Sequence, residues 1–483
     1  MTALSTPDGP AVDQQVDVVL IGAGASGLSC VIEAAGRGAR VTVIDAAPSF
    51  GGTASGAAGG TCIAGSPLQD RLGVEDSVGL ALEDWITWGG DSVDVEWAHR
   101  YLLASRDVFF DHLSALGVRW ISIHPHEGNR VPRWHRPEGG GKRVMSLLAH
   151  HARALPNITW RFGYRAQELV RSGGRITAVI AMNGDRIVEI SAPAIVMATG
   201  GFNNSAELVA MHAKQAAGAE RVLLGGGPEA KGEGIRMLEA VGAQFTELDS
   251  VWMYPYGTPD YLKPGTDRGL AVRGVDGELW INDEGNRFHD ESLRGGASGT
   301  GALLAQTEGR AWSVFDAGVA SGLILADPYY LDGNKINRDR VAEFLRSSPY
   351  VESAPSAAAL AARIGVDRRN LEAAINDMNK AIAAGLHRDP AFGKPLDGIA
   401  PLDEAPFYAV RLHPLARKNL GGVRTDLDCR VLDSEGRPID GLFASGEVAG
   451  MAGGHINGHA ALEGTAFGPS VFSGIVAGRA VVE

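Results

Sequence analysis

The sequence predicts an α/β fold built around a parallel β-sheet, in a chain of 483 residues. An apolar run of strand length at residues 16–21 precedes three closely spaced glycines, and a second apolar run follows at residues 41–44. Two more strand-plus-glycine turns occur later, in "APAIVMATGGF" (192–202) and "GLFASGEVAGM" (441–451). Short continuous apolar runs are typical of strands that a parallel sheet buries on both faces. The length suggests two domains, or one domain with a large insertion.

The first glycines form a GxGxxG pattern, Gly22, Gly24 and Gly27, directly after the first strand. Residues 28–36 then have the small side chains of a closely packed helix, and the second strand ends in Asp45. This is the Rossmann-like βαβ arrangement, in which the glycines let the backbone approach a pyrophosphate and the helix N-terminus favours its charge. Asp45 is placed to accept hydrogen bonds from ribose hydroxyls. The pattern predicts a bound dinucleotide; the alternative is a glycine-rich turn with no ligand.

A second glycine-rich loop, "FGGTASGAAGGTCIAG", favours a flavin over a nicotinamide cofactor. A simple nicotinamide domain needs no such loop, whereas a flavin ring must pass along backbone that has no side chains in the way. Three strand-plus-glycine turns spread over the chain indicate one extended cofactor, FAD, lying across one sheet. The residues expected to contact it in these segments are Gly22, Gly24, Ala25, Ser26, Gly27, Asp45, Gly52, Thr53, Ala58, Gly59, Gly60, Thr199, Gly200 and Glu447.

Composition excludes several other classes of protein. The net charge is -13 and no Lys/Arg-rich run occurs, so nucleic acid is not an expected partner. No apolar run reaches the roughly 18 residues of a membrane span, and the N-terminus lacks a signal-peptide pattern, so a cytoplasmic location is expected. Three scattered cysteines give no disulfide framework. His124, His126 and His135 do not have a metal-ligand spacing, so no metal is expected.

Several motifs in this order resemble the FAD-dependent fumarate reductase and succinate dehydrogenase flavoprotein superfamily. They are "GGTASGAAGG", "HRPEGGGKRV", "KGEGIRMLEAVGA" (which contains Glu233), "AVRGVDGELWINDEGNRFHDE" and "FGPSVFSGIVAGRA". The resemblance extends from about residue 16 to residue 479, and in character it is closest to the 3-ketosteroid dehydrogenase branch. It adds Glu233 to the expected cofactor-binding residues.

The resemblance implies an FAD-binding domain in two segments, residues 14–250 and 416–483, with an inserted α+β capping domain at residues 251–415. It places the active site where the cap meets the flavin ring. Residues 347–385 have apolar positions at helical spacing and are expected to form cap helices. No counterpart of the family's flavin-attachment segment is found, so the FAD is expected to be non-covalent.

The resemblance implies that hydrogen is removed from two adjacent carbons, or added across a C=C bond. A hydride moves between one carbon and flavin N5, and a protein group carries a proton to or from the other carbon. Backbone donors must also support the substrate carbonyl and the reduced flavin. Gly464, Thr465 and Ala466, at the start of the closing helix, are expected to supply them.

The chain departs from the fumarate reductases at the positions that hold a dicarboxylate. Arg294 is a counterpart of the proton-delivering Arg, although the spacing is one residue short. Tyr254 replaces one substrate-binding His, and the second falls at Arg417 or Lys418. The carboxylate-binding Arg falls near Ala461. Because a bidentate Arg is the natural partner of a carboxylate, its loss argues against fumarate or succinate, and a Tyr suits an alicyclic ketone better.

The steroid-specific pattern is incomplete as well, because Ala460 stands where the ketosteroid dehydrogenases have an oxyanion-binding Tyr. The adjacent His459 could substitute for it, and a single-ring ketone or keto acid is as good a candidate as a 3-ketosteroid. Tyr254 could instead be a core aromatic, and Arg294 could pair only with Asp290 or Glu291. The predicted catalytic residues are Tyr254, Arg294, Arg417, His459 and Gly464, and the predicted substrate-binding residues are His413, Lys418, His455, Asn457 and Tyr330.

The sequence therefore predicts an FAD-dependent oxidoreductase that acts on a small molecule, a cyclic ketone or keto acid. The alternatives are a dicarboxylate or enoate reductase or an amino-acid oxidase of the same superfamily, and, from another class, a flavin electron-transfer module without its own substrate. No haem or iron–sulfur motif is present, so the electron acceptor is oxygen, a quinone or a separate carrier.

Overall fold

The computed structural model describes residues 16–332 and 335–483, which fold into two compact units. The first unit comprises the described residues up to Phe202, together with Gly226–Ser250 and Lys418–Glu483. The second unit comprises Asn203–Gly225 and Val251–Arg417. These limits differ from the predicted ones in that residues 203–225 and 416–417 belong to the second unit. The division into an FAD-binding domain and a cap stays a prediction.

The strands are numbered in chain order. They are β1 Val18–Ile21, β2 Val41–Asp45, β3 Thr61–Cys62, β4 Trp120–His124, β5 Trp134–Pro137, β6 Ile158–Phe162, β7 Arg165–Ser172, β8 Arg175–Asn183, β9 Arg186–Ser191, β10 Ala194–Met197, β11 Leu223–Leu224, β12 Phe245–Thr246, β13 Val251–Pro259, β14 Gly269–Arg273, β15 Leu279–Ile281, β16 Ala311–Phe315, β17 Ile324–Leu325, β18 Leu331–Asp332, β19 Lys335–Ile336, β20 Val351–Ala354, β21 Phe407–Asn419, β22 Gly422–Val423, β23 Arg430–Leu432 and β24 Pro438–Ala444.

The helices are numbered in the same way. They are α1 Ala25–Gly36, α2 Pro67–Arg71, α3 Val78–Gly89, α4 Val95–Ala104, α5 Leu113–Ala115, α6 Gly140–Arg153, α7 Ala206–His212, α8 Glu233–Ala240, α9 Ser298–Leu304, α10 Ala317–Ala320, α11 Arg338–Ser347, α12 Ala357–Ile364, α13 Arg368–Ala383 and α14 Phe467–Ala480. Among the described residues, no helix is long and apolar enough to cross a membrane.

The first unit is built on a six-stranded sheet with the strand order β23-β24-β10-β1-β2-β6. β1 pairs in parallel with β2 and with β10, and β6 and β24 extend the parallel pairing on either side. All four residues of β1 are buried, because helices and loops cover both faces of a parallel strand. This confirms the predicted α/β class, although β1 begins two residues later than its apolar run.

Helices α1 and α14 of the first unit pack so closely that their backbones are in contact. A Cβ on Gly474 would overlap the carbonyl oxygen of Ser26, and one on Gly478 would overlap that of Cys30. The Ser26 hydroxyl also shares a 2.6 Å hydrogen bond with the Ser445 hydroxyl. Glycine is needed on α14 because no side chain fits between the two helices.

The second unit contains an eight-stranded sheet with the order β15-β16-β21-β13-β14-β17, in which β11 and β20 also pair with β21. Its core includes Leu279, Val314, Leu371 and Met378, where the sheet packs against α12 and α13. Apolar residues at helical spacing on α13 supply the face that covers the strands.

The prediction of helices across residues 347–385 is wrong at its start. Residues 351–354 form β20, which pairs antiparallel with β21. Pro355 disfavours a helical conformation at Ala354, and α12 begins only after Ser356, whose hydroxyl accepts a hydrogen bond from the Ala359 amide at 3.2 Å. The rest of the segment forms α12 and α13, as expected.

The contact between α1 and α14 predicts a large difference between two Gly→Ala substitutions. Gly474→Ala should lower the free energy of unfolding by about 1–3 kcal/mol, because the added methyl overlaps the Ser26 carbonyl. Gly36→Ala, at an exposed position with no atom within 4 Å of the added Cβ, is the matched control. It should be neutral or stabilising by up to about 1 kcal/mol. Chemical denaturation of both variants tests this, and equal effects would contradict the close packing.

Candidate active site

The glycine turn after β1 contains glycines of two kinds. A Cβ on Gly22 (φ 110°) would overlap the carbonyl oxygen of Ala198, and one on Gly27 would overlap the carbonyl oxygen of Gly22. These two glycines are therefore required by the fold itself. Gly24 differs, because a Cβ there would meet no atom within 4 Å, and Gly24 is the N-cap of α1. The space at the N-terminus of α1 fits a phosphate group.

Asp45, at the end of β2, lies beside this turn. Its carboxylate accepts hydrogen bonds from the Ala23 amide at 2.6 Å and the Ala47 amide at 2.7 Å. Burial raises the pKa of Asp45. A carboxylate oxygen accepts more than one hydrogen bond, so these two contacts still allow the predicted ribose contact. Ala25 and Ser26 are buried at the start of α1, and the Ser26 hydroxyl is bonded to Ser445.

The second glycine loop is held by α6 and β5. A Cβ on Gly59 would lie 2.6 Å from the Gly141 amide nitrogen, and one on Gly60 would overlap the Trp134 ring. Packing in the fold thus explains these two glycines. The ligand-accessible part of the loop is its short 3-10 helix, Gly52–Gly56, where Gly52 is exposed and Thr53 half-buried, together with exposed Ala58.

The turn after β10 holds a buried hydroxyl that fits a cofactor. Thr199 Oγ1 has no hydrogen-bond partner among the described residues. Gly200 follows in the left-handed region (φ 75°), and a Cβ there would meet no atom within 4 Å. A buried polar atom of this kind ordinarily bonds to a ligand or to water.

Two predicted cofactor residues have structural partners of their own. Glu233 pairs with Arg165 at 2.6 Å at the start of α8. Glu447 Oε1 accepts a hydrogen bond from the Asn419 amide at 3.2 Å, and Asn419 Nδ2 donates to the Gly421 carbonyl at 2.6 Å. Glu447 therefore holds the turn at residues 419–422, "NLGG".

Residues 454–466, here called the strip, cross the first unit before α14. Asn457 is buried, and its Nδ2 donates to the Thr465 carbonyl at 3.0 Å. Asn457 Oδ1 has no partner among the described residues. His455 Nδ1 lies 3.3 Å from Thr246 Oγ1, and His459 Nδ1 lies 3.2 Å from Glu247 Oε2. The strip thus presents two histidines and a buried amide.

The end of the strip departs from the expected donor arrangement. The Gly464 carbonyl accepts a hydrogen bond from the Cys62 amide at 3.1 Å, which fastens the strip to the end of the second glycine loop. Thr465 was expected to donate its amide to flavin, but that amide donates to the Leu462 carbonyl at 3.2 Å. Ala466 is the N-cap of α14, whose first-turn amides have no intrahelical acceptor and remain suited to negative charge.

In the second unit, Tyr254 belongs to a stacked aromatic pair. Tyr254 and Tyr256 are both buried on β13, with ring centroids 5.1 Å apart and an interplanar angle of 15°. The guanidinium of Arg273 lies 5.9 Å and 5.5 Å from the two ring centroids, and its Nη2 donates to the Tyr256 hydroxyl at 3.2 Å. The pair therefore combines two aromatic rings with the Tyr256 hydroxyl, which the positive charge of Arg273 polarises.

Arg294, predicted to be catalytic, forms an ion pair with a buried glutamate. Its Nη2 pairs with Glu278 Oε1 at 2.7 Å, and its Nε donates to the Glu291 backbone carbonyl at 3.1 Å. Glu278 is buried, and burial raises its pKa. The alternative in which Arg294 pairs only with the side chain of Asp290 or Glu291 is therefore wrong. A buried carboxylate is costly without a cationic partner, and Arg294 supplies that partner to Glu278.

Three other candidates of the second unit are tied into its fold. His413 is buried on β21, where burial lowers its pKa to about 4 and Nδ1 has no partner among the described residues. Arg417 Nη1 donates to the Gly225 carbonyl at 2.6 Å. Tyr330 is buried and packs edge-on against Tyr329 and Phe344, so it is a core aromatic. Lys418, in the first unit, is half-buried next to Asn419.

No group of three or more His, Cys, Asp or Glu side chains that could hold a metal ion occurs in residues 16–332 and 335–483. The buried His135 is instead engaged by Ser66 Oγ, 2.6 Å from its Nε2, and by the Arg133 carbonyl, 2.8 Å from its Nδ1.

Comparison with known proteins decides the family. Residues 17–466 match the protein family described as "FAD binding domain". The chain belongs to this family. A KsdD-like steroid dehydrogenase of Mycobacterium tuberculosis is 30% identical, over 97% of this chain and 96% of that protein. A probable fumarate reductase of Shewanella frigidimarina is also 30% identical, over 96% of this chain and 74% of its own length. The open conformation of a flavocytochrome c3 fumarate reductase superposes with a TM-score of 0.77 at 28% identity, covering 98% and 78% of the two chains.

The family assignment confirms FAD as the cofactor. The protein is an FAD-dependent oxidoreductase of the fumarate reductase and ketosteroid dehydrogenase group, a dehydrogenase or reductase acting on carbon–carbon bonds. The open space at Gly24, the carboxylate of Asp45 and the buried Thr199 hydroxyl fit this cofactor. The individual contacts remain predictions.

Sequence reasoning missed three polar residues beside its candidates. Tyr256 lies two residues after Tyr254, the spacing that puts side chains on one face of a strand, so it could have been found. Arg273 stands in the "AVRG" motif, but the sequence alone does not show that it reaches the two tyrosines. Glu247 carried no signal in the sequence, because its partner His459 is remote in the chain.

The open space at Gly24 predicts a defect in FAD binding alone. Gly24→Ala has room in the protein without ligand, and its φ of -79° suits any residue, so folding should be unchanged. The added methyl would occupy the phosphate space and should weaken FAD binding by ~10-fold or more. The measurements are flavin retained per protein after gel filtration, and thermal unfolding of the apoprotein. Gly36→Ala is the control, and full FAD occupancy in Gly24→Ala would contradict the assignment.

Buried His413 predicts a loss of stability in acid. Its folded pKa of about 4 lies below the ordinary value of 6.5, so the unfolded state binds more protons between these values. The free energy of unfolding should fall as the pH drops from 6.5 to 4, by up to about 3 kcal/mol for this group. His135 shifts in the same direction, to about 4. His413→Gln should remove about half of the pH dependence that the two histidines contribute to the free energy of unfolding. Denaturation curves recorded between pH 4 and 6.5 measure this dependence. The same pH dependence in the variant and the wild type would refute the prediction.

Proposed function

We propose that the protein catalyses the α,β-dehydrogenation, or the reverse C=C reduction, of a cyclic ketone or keto acid, such as a 3-ketosteroid or an oxocyclohexane-type compound. The observation that carries this proposal is the buried Tyr254–Tyr256 stack with Arg273 bonded to the Tyr256 hydroxyl. Two aromatic faces suit an alicyclic skeleton, and a phenol suits a neutral carbonyl. The relative from Mycobacterium tuberculosis, described as a steroid dehydrogenase, supports the same substrate class.

Different residues are proposed to hold successive parts of the FAD molecule. The turn at Gly22–Gly27 and the N-terminus of α1 would hold the pyrophosphate, and Asp45 a ribose. Thr199, Gly200 and the loop at Gly52–Ala58 would line the remainder, with the α14 N-terminus beside negative charge on the ring. When bound, FAD supplies the acceptor or donor of the hydride.

The protein's own residues must support the carbonyl while charge develops on its oxygen. Because Tyr256 accepts a hydrogen bond from the Arg273 guanidinium, its own O–H acts as a donor, and the positive charge strengthens that donation. We assign Tyr256 the role of polarising the substrate carbonyl, with Tyr254 stacking beside it. This acidifies the C–H bond next to the carbonyl, which a protein base must then deprotonate.

A dicarboxylate or enoate reductase is the second candidate, and one observation favours it. Arg294, at the position that matches the family's proton-delivering Arg, forms an ion pair with the buried Glu278. The relative from Shewanella frigidimarina, a probable fumarate reductase, fits that alternative. Ala460 and Ala461 weigh against it, because neither can bind a carboxylate. A cytoplasmic location and the nature of the electron acceptor stay predictions.

Anaerobic reduction of the bound flavin tests the proposal. The holoenzyme is mixed with saturated cyclic ketones, a 3-ketosteroid and an oxocyclohexane carboxylate among them, and with succinate as the comparison. Bleaching of the flavin absorbance with a ketone, and not with succinate, is expected. Faster turnover of succinate or fumarate than of every ketone would favour the dicarboxylate alternative instead.

The role of Tyr256 is tested with a matched pair of variants. Tyr256→Phe should slow bleaching by the ketone ~100-fold, because one oxyanion donor is lost. Tyr408→Phe, which stacks on Phe315 in the same sheet, should react at the wild-type rate. Equal rates in the two variants would remove Tyr256 from the chemistry.

A further inference from the structure

The strip contains a histidine–carboxylate pair to which the proposed function gives no role. His459 Nδ1 lies 3.2 Å from Glu247 Oε2 in the first unit, and 58% of the His459 side chain is exposed. We propose that His459 is the proton carrier of the reaction and that Glu247 is its positioning residue. The inference rests on the proposed function and assigns that function its acid/base.

The backbone that leads into His459 is packed tightly against the end of α3. The His459 amide donates to the Gly89 carbonyl, at the end of α3, at 2.9 Å. Gly458 is in the left-handed region (φ 57°), and a Cβ there would overlap the same carbonyl oxygen. A Cβ on Gly89 would in turn overlap the Asn457 carbonyl oxygen. A side chain with 58% exposure on so fixed a backbone is placed for a ligand rather than for packing.

Glu247 is held just as firmly, in a conformation that costs energy. Its φ of 53° is in the left-handed region, which non-glycine residues rarely adopt. Glycine is required at 421, because a Cβ there would overlap the Glu247 backbone carbonyl. Ser250 Oγ donates to Glu247 Oε2 at 3.2 Å. The carboxylate therefore has a fixed position, and backbone strain at such a residue is typical of a functional site.

The pairing defines which imidazole nitrogen reacts. Nδ1 of His459 faces the Glu247 carboxylate at 3.2 Å, which leaves Nε2 as the ring nitrogen turned away from Glu247 and assigned to the substrate. His455, the other histidine of the strip, faces the Thr246 hydroxyl instead, at 3.3 Å. Of the two, His459 is the one that lies against a carboxylate.

The strip also links His459 along the chain to predicted flavin-binding elements of the first unit. Asn457 Nδ2 bonds the Thr465 carbonyl, and the Gly464 carbonyl bonds the Cys62 amide. The segment that carries His459 is therefore anchored both to the start of α14 and to the end of the second glycine loop.

Protons and electrons balance in the dehydrogenation with His459 as the base. The C–H bond next to the carbonyl breaks, its proton goes to His459 Nε2, and its electron pair forms the C=C bond. The neighbouring carbon gives up a hydride, with two electrons, to the oxidised FAD that the enzyme binds. Glu247 holds the imidazole in position, and the proton on Nε2 is later lost to water. In the reverse direction the imidazolium returns the proton.

The experiment separates proton transfer from hydride transfer. Holoenzyme reduced beforehand with dithionite under anaerobic conditions cannot accept a hydride from a saturated ketone. Loss of deuterium from α-deuterated cyclohexanone and from α-deuterated 5α-androstane-3,17-dione, followed by NMR, then reports the base alone. His459→Gln should slow the enzyme-catalysed exchange ~100-fold. Glu247→Ala should slow it ~10-fold, and Glu247→Gln should restore part of the loss, since a side-chain oxygen is again present opposite Nδ1.

Controls keep folding and function apart. His387→Gln breaks another exposed His–carboxylate pair, with Asp397 at 2.8 Å, and should exchange at the wild-type rate. FAD content and thermal unfolding of each variant establish that the protein is intact. Wild-type exchange in an intact His459→Gln overturns the proposed proton carrier. If no ketone bleaches the flavin of the oxidised wild-type enzyme, both the proposed function and this inference are wrong. If a ketone bleaches the flavin of His459→Gln as fast as that of the wild type, only the inference is wrong.

Discussion

The first unit depends on the close contact between the backbones of α1 and α14. Gly474 and Gly478 let α14 touch the carbonyls of Ser26 and Cys30, with no side chain between the helices. α1 begins at the glycine turn and α14 begins at the end of the strip. The same contact therefore fixes the two helix N-termini, one suited to phosphate and the other to charge on the flavin ring. A looser contact between α1 and α14 would no longer fix the positions of their two N-termini relative to each other.

Glycine serves two physical purposes in this frame, and a sequence alone does not distinguish them. Gly22, Gly27 and Gly60 are required because neighbouring backbone or a tryptophan ring fills the space of a side chain. Gly24 and Gly200 have no neighbour there, and their missing side chains leave room for a ligand. The glycine pattern of the loops predicts a contact with FAD for glycines of both kinds. The structure gives physical support to that prediction only for glycines of the second kind.

Local patterns were predicted well, and partners remote in the chain were not. α1, β2 and the strand before Thr199 follow from apolar runs and glycines within a few residues of each other, and only the ends shifted. β20 was missed because its stability comes from pairing with β21. The Arg294–Glu278 and His459–Glu247 pairs were missed because spacing along the chain carries no information about which charges meet in space. Motif resemblance named one member of each pair but not the other.

The charge environments of the candidate residues also separate their roles. Arg294 neutralises Glu278, which is buried beside a second cluster formed by Glu291, Arg287 and Lys394. Removing Arg294 would leave a buried carboxylate unpaired, at a cost of several kcal/mol, so lost activity in such a variant would not identify a proton carrier. The side chains of His459 and Glu247 are more exposed than those of Arg294 and Glu278. Either can therefore be substituted without leaving an unpaired charge in the core. A group that must gain and lose a proton in each turnover is better placed where both of its charge states are tolerated, which favours the imidazole over the guanidinium.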